Sequence, residues 1–186
     1  MKKSDIPNVI SIIRIVMVIP IAFCLWNQNF LTALLLFLVG GLSDGLDGFL
    51  ARRYHWQTAL GVILDPMGDK LMMLAAYLLL GWHNLLPWWL VVLVISRDLI
   101  IVLGSLLYRK FVGEAKLKPL FISKLNTTVQ IILVLLVMLS QVIEIHLLII
   151  DGFIWLVAVT TLLSGYAYIN EWGRRAWRIL KEKKVY

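Results

Sequence analysis

Cysteine, histidine and charge are all scarce in this chain of 186 residues. The single cysteine, Cys24, excludes an internal disulfide, and its apolar surroundings favour a small buried hydrophobe over a reactive thiol. The three histidines, His55, His83 and His146, lack metal-ligand spacing and are interpreted as polar loop residues. Charged residues make up 16% of the chain and hydrophobic residues 61%, more apolar surface than a soluble domain of this length can bury. The composition therefore predicts an integral membrane protein.

Internal repeats of 20–50 residues and low-complexity segments are also absent from the sequence. Instead there are six apolar runs, each close to the ~20 residues that a bilayer core requires. Such runs must be helical, because lipid cannot satisfy free backbone groups. The fold class is therefore all-α, with a six-helix domain over 1–170 and a basic tail over 171–186. The predicted transmembrane spans are 8–26, 30–51, 61–81, 86–108, 122–143 and 147–170.

Lysine and arginine are missing from one side of the predicted membrane. With a cytoplasmic N-terminus, the outer loops contain none of the 18 basic residues, so the positive-inside rule places both termini in the cytoplasm. The basic excess also attracts anionic lipid head groups, and no nucleic-acid partner is expected. The tail either lies on the inner membrane surface as an amphipathic segment or ends in solvent. The basic residues of the inner segments are Lys2, Lys3, Arg52, Arg53, Arg109, Lys110, Lys116, Lys118, Arg174, Arg175, Arg178, Lys181, Lys183 and Lys184.

Four aspartates stand at the inner ends of the second and third predicted spans. Asp44 and Asp47 are three residues apart, and Asp65 and Asp69 are four apart, so each pair shares a helix face. Consecutive spans run in opposite directions, which brings all four to one depth. Unpaired anions so arranged repel one another, and hard divalent cations such as Mg²⁺ or Mn²⁺ relieve that repulsion. The pattern predicts a site for two metal ions suited to phosphoryl chemistry; the alternative is that the aspartates cap helices or pair with nearby basic residues.

The residues around these aspartates follow the spacing D-x2-D-G-x2-A-R-x8-G-x3-D-x3-D. This pattern resembles the signature of the CDP-alcohol phosphotransferase family. The resemblance implies six transmembrane helices, a homodimer and an active site that faces the cytoplasm. It also implies transfer of a phosphatidyl group from CDP-diacylglycerol to an alcohol, with release of CMP. The matching positions are Asp44, Asp47, Gly48, Ala51, Arg52, Gly61, Asp65 and Asp69.

Carried over by position, the resemblance gives each signature residue a role. Asp44, Asp47 and Asp65 bind metal. Asp69 borders the same metal site and is the general base for the acceptor hydroxyl, which makes it the catalytic residue. The donor-binding residues are Gly48, Ala51, Arg52 and Gly61, which lie along the CDP part of the donor; the small ones leave room for a bulky ligand.

Charged residues elsewhere in the spans are candidates for binding an anionic acceptor. Arg97 either pairs with another helix or holds the acceptor phosphate, and helical geometry argues against its pairing with Asp98. Arg14 either joins the acceptor cluster or extends to the membrane surface. Lys124 is the first choice for contact with the acceptor phosphate, among the three lysines Lys116, Lys118 and Lys124.

The acceptor is predicted from the stretch KLKPLFISKLNTTVQ, residues 116–130. It resembles the mitochondrial-type cardiolipin synthases of the family, which favours phosphatidylglycerol as acceptor; glycerol 3-phosphate, the substrate of phosphatidylglycerophosphate synthases, is the alternative. A cation transporter is a rival from another class, but it leaves the glycines and Arg52 unexplained. A bacterial inner membrane is expected rather than a mitochondrial one, since no Arg- and Ser-rich transit segment precedes the first span.

Overall fold

The computed structural model describes the backbone of residues 6–54, 61–112 and 121–183, and the side chains of 12–43, 67–104 and 121–171. The described residues form six α-helices, in agreement with the predicted all-α fold. Their number and order match the six predicted spans. The helices are α1 (Ile6–Trp26), α2 (Phe30–Tyr54), α3 (Gly61–Trp82), α4 (Trp88–Val112), α5 (Phe121–Ser140) and α6 (Leu147–Lys183).

The turn between α1 and α2 is fixed by a few polar residues. Gln28 adopts a left-handed backbone conformation with φ 57°, and the amide of Asn29 donates to the carbonyl of Cys24 at 2.8 Å. These two features form the Schellman motif that ends many helices. Asn29 then begins α2, because its side-chain oxygen accepts from the amide of Thr32 at 3.4 Å. One asparagine therefore ends one helix and begins the next.

Helix α3 also ends in a Schellman motif. Asn84 also has φ 57°, and the amide of Leu85 donates to the carbonyl of Leu80 at 2.9 Å. The backbone carbonyl of Pro87 then accepts from the amides of Leu90 and Val91 in the first turn of α4. Pro87 suits this position because its missing amide hydrogen would have no helical partner there.

The chain divides into two compact units. The first consists of residues 1–86 with 134–145, and the second of 87–133 with 146–186. In the first unit, α1 packs against both α2 and α3, and in the second α4 packs against α6. Buried apolar residues of the first unit include Ile21, Leu25, Phe37, Ala76 and Leu80, and those of the second include Leu90, Val91, Leu133, Val157 and Ala158.

Large apolar side chains also cover the outer surfaces of the helices. Ile19 is 70% exposed, Phe23 68% and Leu147 74%. Among the described residues, the helical stretches 121–140 and 147–171 are long and apolar enough to cross a membrane, and the apolar stretches 12–26 and 30–43 are shorter. A fully aqueous environment would leave these faces without an apolar partner.

Helix α6 is longer than its predicted span. It continues without interruption from Leu147 to Lys183, so residues 171–183 of the predicted tail are helical. Glu171, Arg174 and Ala176, like the lysines that follow, are residue types that favour helix, and no proline interrupts them. At 1.5 Å per residue the helix is about 55 Å long, against roughly 30 Å for a bilayer core.

Candidate active site

Asp69 is the one signature aspartate whose side chain belongs to the described residues. Its Oδ1 lies 3.3 Å from Nη1 of Arg14, and the two form an ion pair. The Arg14 side chain is 1% exposed and that of Asp69 is 45% exposed. Of the two alternatives for Arg14, extension to the membrane surface is therefore wrong. The cation is buried beside a candidate catalytic carboxylate, because a guanidinium inside an apolar bundle requires an anion nearby.

Helix α1 runs parallel to α3, as two contacts show. Arg14 meets Asp69 at one end, and the rings of Trp26 and Trp82 stack at 6.0 Å at the other. From the first contact to the second, α1 advances twelve residues and α3 advances thirteen residues in the same direction. The two helices are in direct contact near the ion pair, where a Cβ added at Gly68 would make an ordinary van der Waals contact with Cγ1 of Ile15, at 3.4 Å.

Helices α2 and α3 run antiparallel in a register that bears on the aspartates. The rings of Phe30 and His83 meet at 6.3 Å, and a Cβ at Gly40 would lie 3.2 Å from Sδ of Met72. Between these two contacts the chain advances ten residues along α2, from 30 to 40, and goes back eleven residues towards the start of α3, from 83 to 72. One further turn along this register brings position 44 of α2 level with position 68 of α3.

A second turn along the same register brings position 47 level with position 65. The backbones of Asp44 and Asp47 in α2 are therefore level with those of Asp69 and Asp65 in α3. The prediction that the four aspartates bring their carboxylates to one depth stays a prediction. Their side chains, except that of Asp69, lie outside the described residues.

The remaining signature positions divide in the same way. Gly48, Ala51 and Arg52 lie in the last turns of α2, and Gly61 is the first residue of α3. Along α2, the first three therefore follow Asp44 and Asp47 within about two turns. Along α3, Gly61 precedes Asp65 by about one turn. The side chains of Ala51 and Arg52 lie outside the described residues, as do Lys116 and Lys118 entirely.

Comparison with known proteins assigns this arrangement of helices and aspartates to a family. The sequence model of CDP-alcohol phosphatidyltransferases matches residues 4–163, which include the whole signature. The chain belongs to the CDP-alcohol phosphatidyltransferase family. It is thus a member of an enzyme family.

Several proteins that are similar in sequence have names that state an activity. Cardiolipin synthase (CMP-forming) from Rattus norvegicus is 33% identical over 96% of this chain and 64% of that protein, and the Homo sapiens enzyme is 33% identical over 95% and 64%. CDP-diacylglycerol–glycerol-3-phosphate 3-phosphatidyltransferase from Bacillus subtilis is 29% identical over 95% of this chain and 97% of that protein. The chain therefore spans 64% of the length of the two mammalian relatives.

Enzymes of this family are in general metal-dependent, and the donor set of this chain fits a hard cation. Four carboxylates on two antiparallel helices supply the oxygen ligands that Mg²⁺ and Mn²⁺ prefer. Among the described side chains, no three of the His, Cys, Asp and Glu residues lie close enough to hold an ion; only Asp69 of the four signature aspartates belongs to that set.

Arg97 connects three helices of the second unit. Its side chain is 6% exposed. Nε and Nη2 donate to Oγ of Ser164 in α6 at 3.2 and 2.5 Å, and Nη2 also donates to Oγ of Ser123 in α5 at 2.6 Å. Nη1 donates to Oδ1 of Asp98 at 2.7 Å. The expectation that Arg97 does not pair with Asp98 is therefore wrong, because the flexible arginine side chain reaches back across the angle between adjacent helical positions.

A second polar cluster in this unit was missed by the sequence interpretation. Oδ1 of Asn126 accepts from the hydroxyls of Thr160 and Thr161 at 2.9 Å each, and Nε2 of Gln130 donates to Thr161 at 3.4 Å. Asn126 is fully buried. The signal in the sequence was present: Thr160, Thr161 and Ser164 interrupt an apolar run at helical spacing. They were overlooked because the search concentrated on charged residues.

Lys124 stands beside these clusters but is not part of them. It lies in the first turn of α5, its side chain is exposed, and its backbone carbonyl accepts from Thr128 at 3.1 Å. Its neighbour Ser123 accepts from Arg97. Arg97 therefore helps to fix the turn from which Lys124 projects.

Proposed function

We propose that this chain transfers the phosphatidyl group of CDP-diacylglycerol to the free primary hydroxyl of phosphatidylglycerol, giving cardiolipin and CMP. The observation that carries the proposal is the complete signature, residues 44–69, inside a family match that spans residues 4–163. The preference for phosphatidylglycerol is supported by the stretch 116–130 and by the two mammalian relatives, both named cardiolipin synthases.

In the proposed reaction, the acceptor oxygen bonds to the phosphorus of the phosphatidyl group. The bond from that phosphorus to the CMP oxygen breaks, and CMP leaves. Asp69 takes the proton of the acceptor hydroxyl as general base. Asp44, Asp47, Asp65 and Asp69 would hold Mg²⁺ or Mn²⁺, and such an ion would neutralise charge on the diphosphate. Arg52 pairs with a donor phosphate, and the backbone at Gly48, Ala51 and Gly61 leaves room for the cytidine nucleotide.

The acceptor phosphate is proposed to bind near the start of α5. Lys116, Lys118 and Lys124 supply positive charge there, and the exposed Lys124 is well placed to meet a ligand. For Arg97, the bonds to Ser123, Ser164 and Asp98 support the structural alternative. An Arg97→Lys variant separates the two roles: loss of stability with an unchanged acceptor KM supports the structural role, and a raised KM supports phosphate binding.

Glycerol 3-phosphate is the second candidate acceptor. It is supported by the relative from Bacillus subtilis, which is matched over 97% of its length and is named for that acceptor. Both acceptors are anionic phosphates with a glycerol hydroxyl, so a few contacts decide between them. The choice therefore requires a measurement of product.

The proposed setting is a membrane, with both termini and the aspartates on the cytoplasmic side. The exposed apolar faces of α1 and α6 and the one-sided distribution of basic residues support it. A bacterial cytoplasmic membrane is proposed, supported by relatives from Bacillus subtilis and Aquifex aeolicus. The homodimer implied by the family resemblance stays a prediction.

The decisive experiment is product analysis with purified protein in lipid nanodiscs. Labelled CDP-diacylglycerol and Mn²⁺ are supplied with phosphatidylglycerol, glycerol 3-phosphate, or neither. We expect CMP release and labelled cardiolipin with phosphatidylglycerol. A product from glycerol 3-phosphate alone would assign the second function, and no CMP release with any alcohol would refute the enzyme proposal.

The metal site is tested by isosteric replacement of the aspartates. Asp44→Asn and Asp65→Asn keep side-chain size but remove the charge that a divalent cation requires. We expect each variant to lose CMP release while Tm stays close to that of the wild type. Near-normal turnover in both variants would contradict the assignment.

A further inference from the structure

We propose that Arg14 is a positioning residue for Asp69, and that it does not contact the acceptor. This inference rests on the proposed function, since it concerns the carboxylate that serves as general base. Arg14 would act through the 3.3 Å ion pair from its Nη1 to Oδ1 of Asp69, which fixes the carboxylate relative to α1.

Burial argues against direct contact between Arg14 and a phosphate. The Arg14 side chain is 1% exposed, so its guanidinium would have to leave its place between the helices to meet a ligand. Asp69 differs, because 45% of its side chain is accessible while Oδ1 is held. The pair is therefore asymmetric: one member is enclosed by protein, and the other is accessible to substrate.

The local sequence allows Arg14 to reach Asp69. A Cβ at Gly68 would lie 3.7 Å from Cδ and 3.9 Å from Cγ of Arg14, so the arginine side chain passes directly over the Gly68 backbone. Ile15 packs against the same position. A larger side chain at 68 would occupy this passage and displace the guanidinium from its partner.

Holding Asp69 matters for both of its proposed roles. A carboxylate that rotates freely samples orientations in which it does not meet the acceptor proton, and small displacements of a reacting group are costly. Groups that orient a catalytic or metal-binding carboxylate typically contribute about 10- to 100-fold in activity or metal affinity. Arg14 supplies this orientation from α1, outside the signature stretch of 44–69.

The test compares three variants in nanodiscs. Arg14→Gln removes the positive charge, and Arg14→Lys keeps the charge on a side chain without the guanidinium fork. Trp26→Phe is the control, because it weakens packing between α1 and α3 at the other end of α1, about 18 Å from Arg14 along the helix. We expect kcat to fall about 10- to 100-fold in Arg14→Gln with acceptor KM nearly unchanged. Arg14→Lys should retain an intermediate kcat, and Trp26→Phe should retain the wild-type kcat.

Three results would overturn the proposal. A raised acceptor KM with unchanged kcat would mean that Arg14 binds the acceptor. An unchanged kcat in Arg14→Gln would mean that the ion pair has no part in turnover. An equal fall of kcat in Trp26→Phe would mean that helix packing alone matters.

A measurement without substrate separates this inference from the proposed function. Asp69→Asn, Arg14→Gln and the double variant are compared by thermal unfolding. We expect the double variant to lose less Tm than the two single shifts combined, because each single change leaves a charge without this partner. Additive shifts would contradict the pairing. Absence of CMP release by the wild type would refute the proposed function and leave this thermal result intact.

Discussion

Arg97 illustrates how a single buried cation can organise part of a helical protein. It donates to hydroxyls on two other helices and to the carboxylate of its neighbour Asp98. Serine suits both hydroxyl positions because a short side chain lets the helices approach while still accepting a hydrogen bond. The role of Arg97 thus depends on Ser123 and Ser164, two residues without charge.

Ser164→Ala is expected to destabilise the protein although it removes only one oxygen atom. In a fully buried position, Nε of Arg97 loses its acceptor and Nη2 loses one of its two, which costs about 1–3 kcal/mol of the free energy of unfolding. Chemical denaturation in detergent measures the difference. Ser140→Ala is the matched control, because that hydroxyl donates to the Val137 carbonyl within its own helix at 2.8 Å. Equal losses in both variants would contradict the role given to Ser164.

At the scale of elements, the contact between α2 and α3 sets the level of the aspartates. Gly40 and Met72 touch one helical turn away from Asp44 and Asp69, respectively. A large side chain added at position 40 would therefore collide with Met72 of the helix that bears Asp65 and Asp69. The adjacent Gly41 has no other group within 4 Å of an added Cβ among the described residues. Two neighbouring glycines thus differ sharply in what they contact.

This difference gives a matched pair of substitutions. Gly40→Leu is expected to lower the free energy of unfolding by about 1–3 kcal/mol through overpacking against Met72, and to lower CMP release by displacing α3. Gly41→Leu adds the same side chain on an open face and is expected to change neither quantity appreciably. Activity assays and thermal unfolding of both variants check the prediction. It fails if Gly41→Leu is as harmful as Gly40→Leu.

At the scale of the whole molecule, the helix ends support the proposed topology. The turn 27–29 and the turn 83–87 lie together, since Nε2 of Gln28 is 3.4 Å from Nδ1 of His83. Both turns lack lysine and arginine. The ion pair of Arg14 and Asp69 marks the other end of the same helices. The first unit thus has one end whose turns, 27–29 and 83–86, contain no lysine or arginine, and another end that carries the candidate catalytic residues.

Cysteine labelling of intact cells tests this topology. In a Cys24→Ser background, Asn27→Cys and Glu144→Cys are expected to react with a membrane-impermeant maleimide added outside, because both native side chains are exposed at the proposed outer end. Arg175→Cys is the control at the proposed inner end, and it should react only after permeabilisation. Labelling of Arg175→Cys in intact cells would place the tail outside and contradict the topology.

Helix identity could be predicted from the sequence because bilayer-length apolar runs leave the backbone little choice. The predicted helix ends were less accurate where local polar groups determine the residue at which a helix stops. Helix α5 ends at Ser140, three residues before its predicted boundary, because residues 141–143 form a turn onto the carbonyls of Met138 and Leu139. The pairing of Arg14 with Asp69, and of Arg97 with Ser123 and Ser164, could not be predicted, since these partners come from helices distant in the chain.

The sequence by itself determined the helices, the family signature and the spacing of the aspartates, because these depend on residue type and on neighbours in the chain. Only the tertiary structure decided which groups from distant helices the buried arginines meet. Arg14 lies 55 positions before the carboxylate of Asp69, and Arg97 lies 67 positions before the hydroxyl of Ser164. Contacts of that kind depend on which helix faces pack together. In a helix that is apolar on all sides, the sequence does not indicate which face packs against a neighbouring helix.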